Sequence, residues 1–144
     1  MKNFKRIFIG SILITGGIFL ARIPGCLESA FGRSYSQTSP EDVRELRRLS
    51  YLALPAIHAL ETEKDQTGVY PESLTSLEAM LPPGYLEDVF WEQGAPYPSF
   101  KYFPVEDGAS FRLYMKTNWE GSLWYYGEGR WTYRQDMEEW DLFH

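Results

Sequence analysis

Few side chains in this sequence are equipped for covalent or metal chemistry. Cys26 is the lone cysteine, and His58 and His144 are the only histidines. A multi-cysteine zinc site lacks its ligands, and a serine–histidine–aspartate relay has little to build on. His58 falls one step off an apolar stripe, where a histidine satisfied by a neighbour is the ordinary occupant. There is no phosphate-cradling glycine loop, nucleophile elbow or metal-binding helix motif. Carboxylates gather at Glu87, Asp88 and Glu92, and again at Asp136, Glu138, Glu139 and Asp141. Acid–base catalysis needs such groups in a cleft with perturbed protonation, which spacing alone does not supply. Nor does the second group have the glycine-punctuated loop of an EF-hand. Both read as solvated acids. The expectation is a protein that is not an enzyme and needs no cofactor, with a small hydrolase as the remotest reading.

Aromatic residues are what the sequence has in excess. There are nine Phe, ten Tyr and five Trp, and seventeen of them lie from Tyr85 onward. Runs at 99–104, 110–117, 122–126 and 130–135 alternate as short strands do, and Glu106-Asp107-Gly108, residues 118–121 and Gly127-Glu128-Gly129 carry hairpin chemistry. Alternation puts Phe111, Leu113, Met115, Leu123, Tyr125, Trp131 and Tyr133 on one face, suited to packing on a helix. The opposite face holds Arg112, Tyr114, Lys116, Trp124, Tyr126, Thr132 and Arg134. A mixed cationic and aromatic surface of this kind suits a peptide, a carbohydrate or a partner protein. The plainer alternative is ordinary sheet exterior, partly covered by Trp140, Leu142 and Phe143 of the tail.

Ahead of the strands, Ser39-Pro40-Glu41-Asp42 is a strong helix start, with a serine cap, proline in the first turn and acids beside it. Val43, Leu46, Leu49, Ala53, Ile57 and Leu60 then recur at helical spacing and predict one long amphipathic helix. Pro55 must kink it or force a wide turn near Tyr51. Gly68 is placed to stop it after Lys64.

The amino terminus has the layout of an export signal. Lys2, Lys5 and Arg6 precede an uncharged apolar run over 7–21, short of the roughly 20 residues of a comfortable span. The basic cluster places the amino terminus in the cytoplasm of a bacterial inner membrane and the remainder in the periplasm. An uncleaved anchor, a cleaved signal peptide and lipid attachment in the envelope all remain open. The last follows from Ile23-Pro24-Gly25-Cys26, which resembles a lipobox and makes Cys26 the lipidation candidate. The chain then divides into a signal anchor or signal peptide at 1–23, a flexible tether at 24–38 and a globular domain at 39–144. Beyond Cys26, ten basic residues face twenty acidic ones. Such a body repels phosphate backbones, so nucleic acid is not an expected partner.

One stretch has a family character. Asp65, Gly68, Tyr70, Pro71, Ser73, Leu74 and Leu77 share a single frame, followed by Leu81-Pro82-Pro83-Gly84-Tyr85 and the strand-like Phe111-Arg112-Leu113-Tyr114. This resembles the soluble domain of type IV pilin-like proteins, especially type II secretion pseudopilins. The amino terminus is atypical for them, with Thr15 at the position that the Gly10–Ser11 junction would give to glutamate. The resemblance implies an α+β fold in which a membrane segment precedes one long amphipathic helix packed on a four-stranded antiparallel meander. It also implies a structural or interaction module, with protein partners in a secretion or pilus-type envelope assembly. Calcium held near the carboxy terminus of major pseudopilins makes Asp136, Glu138 and Asp141 an alternative metal set. The runner-up reading is a periplasmic or surface lipoprotein, anchored at Cys26, that binds a peptide or carbohydrate on its aromatic sheet.

Overall fold

The structure is a computed structural model that describes residues 34–118 and 120–143. The expected membrane segment at 1–23 and the lipidation candidate Cys26 lie outside the described residues. Among the described residues, no helix is long and apolar enough to cross a membrane.

The expected single long helix is instead two shorter ones. Helix α1 runs from Pro40 to Tyr51 and α2 from Leu54 to Thr67. Ser39 caps α1 by accepting the Asp42 N–H at 3.3 Å. Pro55 has no N–H to continue the ladder, and Leu52 and Ala53 turn back to Leu49 and Ser50 three residues earlier. A tight turn therefore separates the two segments where a kink alone was one expectation. Gly68 ends α2 with φ 86° in the left-handed region, and its N–H reaches the Lys64 carbonyl at 2.8 Å.

The Asp65–Leu77 motif then returns the chain to the core. The Tyr70 N–H bonds to the Gly108 carbonyl at 2.8 Å, and Tyr102 donates its hydroxyl to the Pro71 carbonyl at 2.6 Å. Ser73 caps a 3₁₀ turn over Leu74–Met80, which buries Leu74 and Leu77. Asp65 stays exposed. A short helix α3 (Tyr85–Val89) follows, and Tyr85 anchors it by donating to the Leu52 carbonyl in the turn between α1 and α2.

The sheet has five antiparallel strands, not four. They are β1 (Phe100–Val105), β2 (Ser110–Lys116), β3 (Gly121–Tyr125), β4 (Trp131–Gln135) and β5 (Glu138–Asp141), adjacent in chain order. The expected inner set from Phe111 to Tyr133 is buried throughout. The additional strand comes from the acidic tail. A two-residue turn at Asp136 and Met137 brings Glu138 opposite Gln135 and Trp140 opposite Tyr133. The five strands and the divided helix overturn the four-stranded, long-helix architecture.

The end of the tether is docked on this framework. Tyr35 is buried against Tyr133 with ring centroids 5.6 Å apart. Its N–H bonds to Gln135 Oε1, and the Ser36 N–H bonds to the Asp42 carboxylate at 3.0 Å. The chain thus enters the domain at the end of the sheet that carries the β4–β5 turn.

Candidate functional site

The tail does not cover the cationic aromatic face. Alternation along β5 turns Trp140 toward the core with Tyr133, and Leu142 is buried beside it. The Leu142 carbonyl accepts two bonds from the Arg47 guanidinium at 2.9 and 3.2 Å. Phe143 lies 6.2 Å from Tyr51 and beneath Arg47, so the tail closes onto α1. Covering of the outer face by Trp140, Leu142 and Phe143 is therefore corrected: all three serve the opposite side.

Strand register arranges the outer residues in cross-strand rows. Lys101, Tyr114, Trp124, Thr132 and Asp141 form one row across all five strands, and Lys116, Ser122, Arg134 and Glu139 form the next. Arg112, on the other side of the first row, lies opposite Phe103 of β1. Tyr114 and Trp124 are in ring contact at 4.7 Å, and Trp124 and Tyr126 lie parallel within 11° at 5.9 Å. Guanidinium groups line these rings. Arg134 is 5.4 Å from Trp124 and 5.5 Å from Tyr126, while Arg112 and Arg130 stand 5.6 and 5.7 Å from Tyr126. Each such contact contributes on the order of 0.5–1 kcal/mol when exposed. Trp124 is further fixed by donating its indole N–H to Ser122 Oγ at 2.9 Å.

The six expected face residues, Arg112, Tyr114, Lys116, Trp124, Tyr126 and Arg134, thus share one surface. Burial pushes the Tyr114 hydroxyl above its ordinary pKa, so this phenol stays neutral at physiological pH. Thr132 is fully buried in this layer, and its hydroxyl has no hydrogen-bond partner among the described residues. Sequence reasoning missed three extensions. Lys101 and Phe103 add β1 to the face, and Lys101 reaches over Trp91, which is exposed. The alternation Phe100 and Tyr102 inward, Lys101 and Phe103 outward carried that signal.

The acidic tail also belongs here, in another role. Glu139 pairs with Arg134 at 2.7 Å and Asp141 with Arg130 at 3.6 Å, while Asp136 sits in the turn and Glu138 is exposed on β5. Among the described residues, no three acid, His or Cys groups are placed to hold a metal ion, so the structure does not assemble the Asp136, Glu138 and Asp141 alternative. His58 is exposed on α2, and Glu87, Asp88 and Glu92 are exposed around α3.

No family model, curated protein or solved structure matches this chain. In the structure the motif residues Gly68, Tyr70 and Ser73 serve as a helix stop, a docked exit and a cap.

Proposed function

We propose that this protein is an interaction module of the bacterial envelope, tethered to the inner membrane by its amino-terminal segment, which recruits a partner protein on the outer face of its sheet. The observation that carries this reading is the tail packing on α1, which leaves the Tyr114–Trp124–Tyr126 ladder and its arginines uncovered by the tail. Five of the nine Lys and Arg side chains among the described residues stand on this face: Lys101, Arg112, Lys116, Arg130 and Arg134. Glu139 and Asp141 already pair with Arg134 and Arg130, and the cations in excess of them form, in a body this acidic, the patch where a carboxylate-bearing segment is drawn in.

A polypeptide fits this face better than a carbohydrate. Sugars stack on open ring faces, whereas guanidinium groups already stand against Trp124 and Tyr126. Arginine donors and ring edges suit a peptide backbone and acidic side chains. The motif around Gly68 and Tyr70 favours a secretion-type assembly as the setting, and nothing in the site calls for catalysis.

A photo-crosslinking residue placed in living cells tests this directly. At Arg112 it should trap one defined protein, whereas at Glu63 on α2 it should trap none. Equal capture at both positions, or none at either, would remove the sheet face from the account.

A further inference from the structure

We propose that a carboxylate anchors the partner polypeptide to the outer face, seated between Arg112 and Arg130 against the Tyr126 hydroxyl and carried beside an apolar side chain that covers Phe103. The inference rests on the outer face being the recruiting surface, and it names the contact that holds the partner there.

Three guanidinium groups converge on one ring. The β2–β3 register, continued one step past Leu113–Tyr125, sets Arg112 opposite Tyr126. The Tyr126 N–H bonds to the Arg130 carbonyl at 3.1 Å, which places Arg130 on the other side of Tyr126. Arg134 follows along β4. The three guanidinium carbons stand 5.6, 5.7 and 5.5 Å from the Tyr126 ring centre. They are unequally occupied. Glu139 holds Arg134 at 2.7 Å. Asp141 stays 3.6 Å from Arg130 Nε, too far for a hydrogen bond. Arg112 has no carboxylate partner among the described residues. The open donors are therefore those of Arg112 and Arg130, one on each side of Tyr126. Both side chains are exposed, so turning them toward a ligand disturbs little packing.

This layer is rich in donors and short of acceptors. The Tyr126 hydroxyl oxygen is buried and has no hydrogen-bond partner among the described residues. Guanidinium groups only donate, so the three around this ring offer its proton no destination. Thr132, between Arg130 and Arg134 on the same face, is fully buried, and its hydroxyl also lacks a partner. Buried polar groups are ordinarily satisfied. Two such hydroxyls in one layer mark the place of a missing acceptor. A carboxylate supplies two acceptor oxygens in the planar arrangement that a guanidinium fork matches. Bridging from Arg112 to Arg130 carries it across Tyr126, where the phenolic O–H rotates to donate. Phe103 lies opposite Arg112 on β1 and is 42% exposed. The group that adjoins the carboxylate thus meets a ring.

The test titrates the full chain, in non-ionic detergent micelles, with N-acetyl-phenylalanine, which joins a carboxylate to an apolar ring. The Trp124 indole and the Arg112 and Tyr126 amide resonances should shift saturably. N-acetyl-phenylalanine amide, which lacks the charge, and acetate, which lacks the ring, should each bind about tenfold more weakly or worse. Arg112→Gln should weaken binding about tenfold and Tyr126→Phe about threefold, while Arg44→Gln on α1 should leave it unchanged. No saturable shift, equal affinity for the amide or for acetate, or unchanged affinity in Arg112→Gln or Tyr126→Phe would each overturn the proposal. Should Tyr126→Phe fail to fold, the ligand comparison and the exposed Arg112 still decide it. This titration reads the seat without the partner, whereas crosslinking from Arg112 reads the partner, so failure of one is distinguishable from failure of the other.

Discussion

The two faces of the sheet are built from alternate residues of the same strands, and both are rich in rings, yet different forces hold them. On the inner face Phe100, Phe111, Tyr125, Trp131 and Tyr133 are buried under helices and the docked tail. Their stabilisation comes from apolar area removed from water and from shape. On the outer face Tyr114, Trp124 and Tyr126 are only half-buried, ordered by arginines and by one another. A surface of that second kind contributes little to stability and is kept rigid at the boundary with water. The lesson is that aromatic content alone does not locate a core; what stands against each ring decides.

This contrast predicts an order of mutational effects. Removing residues 140–144 strips Trp140 and Leu142 from the inner face, so the domain should lose about 3 kcal/mol or more in denaturant melts. Next comes Gly121→Ala. A Cβ there would run into the Tyr133 hydroxyl, Thr117 Oγ1 and Asn118 Oδ1. Overpacking of this kind costs about 1–3 kcal/mol, and an unchanged melting temperature would mean the inner layer is looser than described. Gly68→Val probes the helical layer that closes the inner face. Open space surrounds that position but its φ is positive, so the strain is in the backbone and should cost about 1–2 kcal/mol. The smallest effect belongs to the outer face. Thr132→Val removes a buried hydroxyl without a partner among the described residues, and should be neutral or stabilise the domain by up to about 1 kcal/mol. A clear destabilisation would show that this hydroxyl is in fact satisfied.

Much of this was legible from residue order. Alternation assigned both faces of β2, β3 and β4, because period-two patterning survives any uncertainty about strand ends. The cap at Ser39 and the stop at Gly68 were legible for a related reason, since each residue type answers one backbone need. The fifth strand was not. Glu138, Glu139 and Asp141 look like a solvated run, and only the cross-strand partners Arg134 and Arg130 turn two of them into pairs. The break between α1 and α2 was half legible, because Pro55 forbids a continuous ladder without saying whether the chain bends or turns.

The most direct test of the central claim compares Trp124→Ala with loss of residues 140–144 in a fragment that begins at Ser34. The account predicts that Trp124→Ala melts within about 1 kcal/mol of the parent, because it removes ring and guanidinium contacts at a surface. The truncation should cost about three times as much, as loss of large buried side chains does. Equal and large losses in the two variants would show that the tail and the outer face form one closed core, and would contradict an open binding surface.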